Sequence, residues 1–341
     1  MRPSGFVIAL DAMRRVLVRF PNWLGDTVMA VPTLRALRGA LPRAEVWGLG
    51  PWVASILEEE PGLDRRLAHP RGWRDRQRLA GQLRGAGIDL AILLPNSFEA
   101  AFHAWLTRAR WRVGYAGDGR SYLLTHAIQP AVTTVHQVAE YLALLRPLGL
   151  APIITAPTLA IAASRRTEAR RLLAEIEIGE GTRAVAIQLG AAFGPSKLWP
   201  VDRLAALATR LSEQGTPAVF LGGSDAAPLL RRVEAALTAP ARSLVGRDHP
   251  ALLPALLAEF AVVVAPDSGP AHVAAAVGVP VVTVFGPTDP RQTAPLADRQ
   301  TPLWRRPACA PCFQPQCPID HRCMSAITVD DVVTAVRGLQ A

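Results

Sequence analysis

The sequence predicts an α/β protein built from two doubly wound halves, each a mostly parallel sheet with helices on both faces. Three observations lead there. Short β-branched or apolar runs alternate with helical stretches along the chain, the pattern of strand–helix–strand units. At 341 residues the chain exceeds what one core usually holds, so two domains are expected. Glycine with Asp, Ser or Lys recurs at the turns that follow strands, which is where doubly wound sheets bind ligands.

In the first half the expected strands are 16–20, 45–49, 89–93 and 111–114, with helices between them. The helix expected over 24–41 carries Val28, Val31, Leu34 and Leu37 at helical period, and Pro32 must bend or restart it. The stretch 151–163, rich in Pro, Thr and Ala, reads as the linker. The second half restarts with a helix at 166–177, a strand at 184–189, a helix at 202–214 and a strand at 217–221. A helix at 226–237, a short strand near 243–244, a helix at 251–259 and a strand at 261–265 follow. A helix then runs to about 277, and 280–285 is another strand. The two Rossmann-like halves are expected to face each other across a hinge near 150–165. No internal repeat is visible.

Composition is that of a globular chain, 50% apolar and 19% charged. The longest apolar run is interrupted by Asp267, glycines and prolines, so no bilayer span is expected. The N-terminal FVIAL is short for a secretory leader, which points to the cytoplasm, and Met13 is the expected initiator because strand-like sequence begins directly after it. A net charge of +9 favours an anionic partner, whether nucleic acid, anionic lipid or a phosphorylated substrate, against arginine simply solvating helix faces.

Polar residues interrupt the apolar stretch 262–290, VVVAPDSGPAHVAAAVGVPVVTVFGPTDP, at both strand ends. In PDSGPAH, Ser268 and Gly269 open a helix whose first-turn N–H groups and dipole attract phosphate, Asp267 can accept from ribose or cap the helix, and His272 lies one turn on. The competing reading is a capped helix with a packed histidine. GxGxxG is absent, which argues against a nicotinamide cofactor. Lys197 in GPSKLWP, the only lysine of the chain, can meet a diphosphate as a mobile point charge or be a plain surface lysine. Asp26 in PNWLGD opens a first-half helix, as a base for a hydroxyl nucleophile or as a helix-start residue. Asp225 stands in FLGGSD after another strand. Cys309, Cys312, Cys317 and Cys323 are either a structural zinc site or reduced thiols, the spacing being irregular for a four-cysteine knuckle.

Together, PNWLGDTVMAVPTLRAL, GPSKLWP, FLGGSD, PDSGPAHVAAAVGVPVVTVFGPTDP and CAPCFQPQCPIDHRCM resemble the ADP-heptose:lipopolysaccharide heptosyltransferases, the ninth glycosyltransferase family, and within it the heptosyltransferase II type. The resemblance implies a GT-B fold, with an acceptor-binding domain at 1–155, a nucleotide-sugar domain at 156–325 and a C-terminal helix in 326–341 packing back on the first domain. It implies inverting transfer of L-glycero-D-manno-heptose from ADP-heptose to heptosyl-Kdo2-lipid A at the cytoplasmic face of the inner membrane, without cofactor, metal or nucleic acid. The alternative is a family member with another donor sugar or acceptor. Asp26 would be the general base and Lys197 would neutralise the leaving diphosphate. Asp267, Ser268, Gly269 and His272 would hold the donor's phosphates and heptose, and Asp225 would lie near the adenosine ribose. Arg65, Arg66, Arg71, Arg74, Arg76 and Arg78 are expected to dock the anionic acceptor at the membrane.

Overall fold

A computed structural model of the protein describes residues 8–11, 13–247 and 249–340. The chain divides between Pro157 and Thr158 into two units.

The first unit holds a six-stranded parallel sheet in the order β3-β2-β1-β4-β5-β6. Its strands are β1 (Arg15–Arg19), β2 (Glu45–Gly50), β3 (Arg65–Ala68), β4 (Leu90–Leu93), β5 (Trp111–Tyr115) and β6 (His126–Ile128). The second unit repeats the plan as β12-β11-β10-β7-β8-β9. Its strands are β7 (Val185–Gln188), β8 (Ala218–Leu221), β9 (Arg242–Ser243), β10 (Val262–Pro266), β11 (Val281–Phe285) and β12 (Gln300–Trp304). Central strands such as β7, β10 and β11 are buried along their whole length, as helix-covered parallel sheets require, and so read as continuous apolar runs. The α/β expectation therefore holds in both halves.

Pro32 does restart its helix. Leu24–Met29 ends at Ala30, and Val31–Ala40 begins with the proline in its first turn, where the missing N–H costs nothing. The edge strands β3, β6 and β12 escape the sequence reading because none of their residues is fully buried and they lack a continuous apolar run, and β12 carries Pro302, which an edge tolerates.

The helix Val329–Gln340 belongs to the second unit. Val332, Val333 and Val336 lie on its apolar face and join the core cluster of the second unit, with Val264, Val282 and Leu204. That face therefore packs on the sheet of the second unit. No helix among the described residues is long and apolar enough to cross a membrane.

Candidate active site

In a 3-2-1-4-5-6 sheet the connections leave the first strand and its inner neighbour in opposite directions, which opens a crevice at their carboxyl ends. In the second unit those strands are β7 and β10, and Lys197 and Asp267 stand in the loops that follow them. Lys197 Nζ donates to Asp267 Oδ2 at 2.6 Å and to the Asp267 carbonyl at 3.0 Å. Both side chains are largely buried, and Lys197 Nζ also sits 4.8 Å from the centre of the Phe193 ring. Thr288 Oγ1 donates to the same carboxylate oxygen at 2.7 Å, with Thr293 Oγ1 at 3.4 Å. An ammonium has three donors, so two bonds to Asp267 leave one for an incoming oxygen.

Asp267 is thus no helix cap. The cap position belongs to Ser268, whose hydroxyl donates back to the Pro266 carbonyl at 3.0 Å and leaves the helix start uncapped. The helix Gly269–Ala276 offers fewer donors than the sequence suggests. Pro270 has no N–H, and the Ala271 N–H turns to the Ser268 carbonyl. What remains is the dipole and the amide of Gly269, open to close approach for want of a side chain. His272 is buried within this helix. Asp225 is exposed in the turn Ser224–Ala226 beyond β8. The preceding Gly222 is obligatory, since at φ 158° a Cβ would lie 2.8 Å from the Leu189 carbonyl at the end of β7.

The loop carrying Lys197 is braced by the cysteine-rich segment. Ser196 donates from its N–H to the Pro315 carbonyl at 3.1 Å and from Oγ to the Gln314 carbonyl at 2.6 Å, while His321 Nε2 lies 2.6 Å from the Ser196 carbonyl. Gly194, at φ 145°, has no room for a Cβ, which would stand 2.4 Å from the Pro315 oxygen. Of the two readings of the cysteines, zinc finds no support among the described residues. Cys309, Cys312 and Cys317 are exposed and Cys323 is buried, and among the described residues no three of their sulfurs approach within the 4.8 Å a shared ion needs. Burial pushes the Cys323 thiol up, and the charges of Cys317, Cys309 and Cys312 add to the shift.

In the first unit the crevice strands are β1 and β4, and Asp26 follows β1 in the first turn of Leu24–Met29. Trp23 holds the cap position without a side-chain cap, and Asp26 is half-buried in the first turn. The buried Tyr141 of the helix Gln137–Ala143 hydrogen-bonds to it. Burial first, and the Asp26 charge next, push the Tyr141 phenol well above its ordinary value, so it stays protonated and donates. Tyr141 carries no local motif and was invisible in the sequence. Thr288 was nearer to being found, since it belongs to the FGPTDP joint.

A second polar cluster lies in a small apolar cavity under the carboxyl ends of β1 and β4, lined by Arg19, His69, Arg76 and His103. His69 Nε2 and His103 Nδ1 stand 3.8 and 3.5 Å from Glu99 Oε1, a set with metal-ligand chemistry. Burial, Arg19 and Arg76 lower His69 to about 3. The same two guanidiniums oppose a divalent ion, and Arg76 already holds Glu99 Oε1 at 2.5 Å. The cluster fits an internal ion network better than a metal centre.

Duplication of one strand order, with the chemistry confined to the carboxyl ends of both sheets, is the build of the GT-B glycosyltransferases. The chain belongs to glycosyltransferase family 9, whose model, described as glycosyltransferase family 9 (heptosyltransferase), matches residues 76–322. It is 29% identical over 302 residues to lipooligosaccharide heptosyltransferase 2 of Haemophilus influenzae, covering 84% of this chain and 87% of that one. It is 28% identical over 310 residues to lipopolysaccharide heptosyltransferase 2 of Escherichia coli, covering 84% and 86%. Among solved structures, ADP-heptose LPS heptosyltransferase II of E. coli superposes with a TM-score of 0.82 at 25% identity, covering 96% and 98% of the two chains. A family 9 glycosyltransferase of Veillonella parvula has the same fold, with a TM-score of 0.86 at 22% identity over 98% and 99%.

Proposed function

We propose that the protein transfers L-glycero-D-manno-heptose from ADP-heptose to heptosyl-Kdo2-lipid A, with inversion, during assembly of the lipopolysaccharide inner core. The observation that carries the reading is the Lys197–Asp267–Thr288 network at the β7/β10 crevice, beside an uncapped helix start. A leaving diphosphate develops negative charge, and a fixed ammonium with a spare donor and a helix dipole stabilise it without reorganising. The names of the heptosyltransferase 2 relatives support the donor and the acceptor.

In this reading Asp26, oriented by Tyr141, takes the proton from the acceptor hydroxyl as that oxygen attacks the anomeric carbon. The bond to the diphosphate oxygen breaks on the opposite face, and ADP leaves with both electrons. Lys197 meets the diphosphate, Ser268 and Gly269 border it, Asp267 holds Lys197 in place, and His272 and Asp225 serve the donor's heptose and ribose. No cofactor or metal takes part. A lipid-linked acceptor puts the enzyme in the cytoplasm, peripheral at the inner membrane, with no role for nucleic acid. A second reading, another donor sugar or acceptor within the family, draws on the 25% identity to lipopolysaccharide heptosyltransferase 3 of E. coli over 334 residues.

The test is ADP release from ADP-heptose with and without heptosyl-Kdo2-lipid A. Acceptor-dependent release that collapses by about a thousandfold in Asp26→Asn, with donor affinity preserved, is expected for a lost general base. Release with another acceptor only would transfer the assignment to the second reading.

A further inference from the structure

The helix Phe98–Leu106 turns alanines 100, 101 and 104 to the core and aromatic rings to solvent. Phe98 and Trp105 are 42% and 47% exposed. Phe102 bridges them, stacked at 6.3 Å on Phe98 and at 6.0 Å on Trp105. Tyr122, 74% exposed, extends the ladder, its ring 6.4 Å from that of Phe98. At the other end Trp105 borders a depression of about 390 Å³ lined by Arg84, Arg108, Arg110 and Arg112, with no acidic residue in its wall. Among the described residues none of these four arginines pairs with a carboxylate. Arg112 donates to the backbone carbonyls of Leu123 and Ala109, which fixes its place in the wall.

The arginines expected from sequence to dock the acceptor are mostly committed elsewhere. Arg66 donates to the carbonyls of Leu57 and Glu60, Arg76 to Glu99, Arg78 to Asp75, and Arg65 stacks over Trp47. The four arginines of the depression face no carboxylate, and backbone carbonyls hold Arg112 while Arg110 lies over the Trp111 ring.

From this juxtaposition we infer that the ladder and the arginine depression together form a membrane-docking surface, with phospholipid phosphates in the depression and the rings at the boundary between headgroups and acyl chains. Four like charges in one wall repel one another, and anionic headgroups relieve that repulsion with bidentate bonds. Aromatic rings flanked by arginine suit the amphipathic interface of a bilayer. Nucleic acid fits less well, because the rings stack face on face along one helix and leave few faces for bases. The bilayer setting rests on the lipid-linked acceptor proposed above. The helix starts after β4, at the carboxyl end of the sheet where Asp26 stands, and ends before β5, at the amino end of the strands. A membrane lying along it runs past the Asp26 end of the unit.

The test is flotation of the full-length protein with phosphatidylcholine vesicles, with and without phosphatidylglycerol. Wild type is expected to partition preferentially to the anionic vesicles, less so at high salt. Arg84→Gln/Arg108→Gln/Arg110→Gln is expected to lose on the order of a hundredfold, at about fivefold per basic residue near an anionic leaflet. Trp105→Ser is expected to weaken binding to both kinds of vesicle. A control that removes three exposed charges elsewhere, Arg43→Gln/Arg231→Gln/Arg232→Gln, is expected to float as wild type. Should the triple variant melt early, Arg108→Gln and Arg110→Gln singly carry the same test. Equal partition of the triple and control variants, indifference of wild type to phosphatidylglycerol, or displacement from vesicles by single-stranded RNA overturns the inference. Transfer to a delipidated acceptor reports separately on the proposed chemistry, and the triple variant is expected to retain it.

Discussion

Tyr141 and Asp26 come from different helices, and their hydrogen bond fixes which way the carboxylate points. A hydrogen bond to a charged group contributes about 1.5–3 kcal/mol, so Tyr141→Phe is expected to lower kcat by roughly tenfold or more while donor KM stays put. A fall in Tm with unchanged kcat would make the hydroxyl merely structural. His69 bears on pH instead. Its folded value of about 3 lies below the ordinary 6.5, so between those values the unfolded chain binds a proton that the folded chain refuses. The stability that follows is complete above pH 6.5 and drains away as pH falls toward 3. His69→Gln, titrated by thermal melting, is expected to lose stability less steeply in that window than wild type. Lys197 and Asp267 were legible because a sole lysine and a DSG turn break apolar sequence. Tyr141 and His69 were not, since only the fold brings their partners to them.

At the level of elements, the helix Val329–Gln340 closes the core of the second unit through Val332, Val333 and Val336, all at most 5% exposed. An unpaired carboxylate at Val336 would cost several kcal/mol, enough to rival the stability of an ordinary domain. Val336→Asp is therefore expected to unfold the second unit and expose it to proteolysis while 1–157 stays resistant, and exposed Asp330→Asn is expected to change nothing. The central strands could be read to within a residue or two because burial on both faces makes them apolar throughout. The stripe of valines on the last helix was equally plain, but a stripe announces only that something covers it. Which sheet it meets is decided by long-range packing, which the stripe itself does not record.

Across the whole molecule the two units are alike in plan and unlike in charge. Residues 1–157 hold 19 of the basic residues against 12 acidic ones, a net +7, whereas 158–341 hold 18 against 16, a net +2. Total charge alone could not choose among anionic partners; its concentration in one unit, and within that unit at the Trp105 depression, favours a surface over a soluble ligand. The duplicated architecture was readable from the alternation of strands and helices, because right-handed crossovers leave few other ways to arrange them. The placement of the last helix also sets an order of events on the ribosome. The first unit has every residue it needs once Pro157 has emerged, but the second stays incomplete until Val336 follows. At about 5–20 residues per second that interval is about 10–40 s. Throughout it the nascent chain displays a finished arginine-rich half beside an unfinished one, long enough to settle on a surface before the Lys197 loop has its brace.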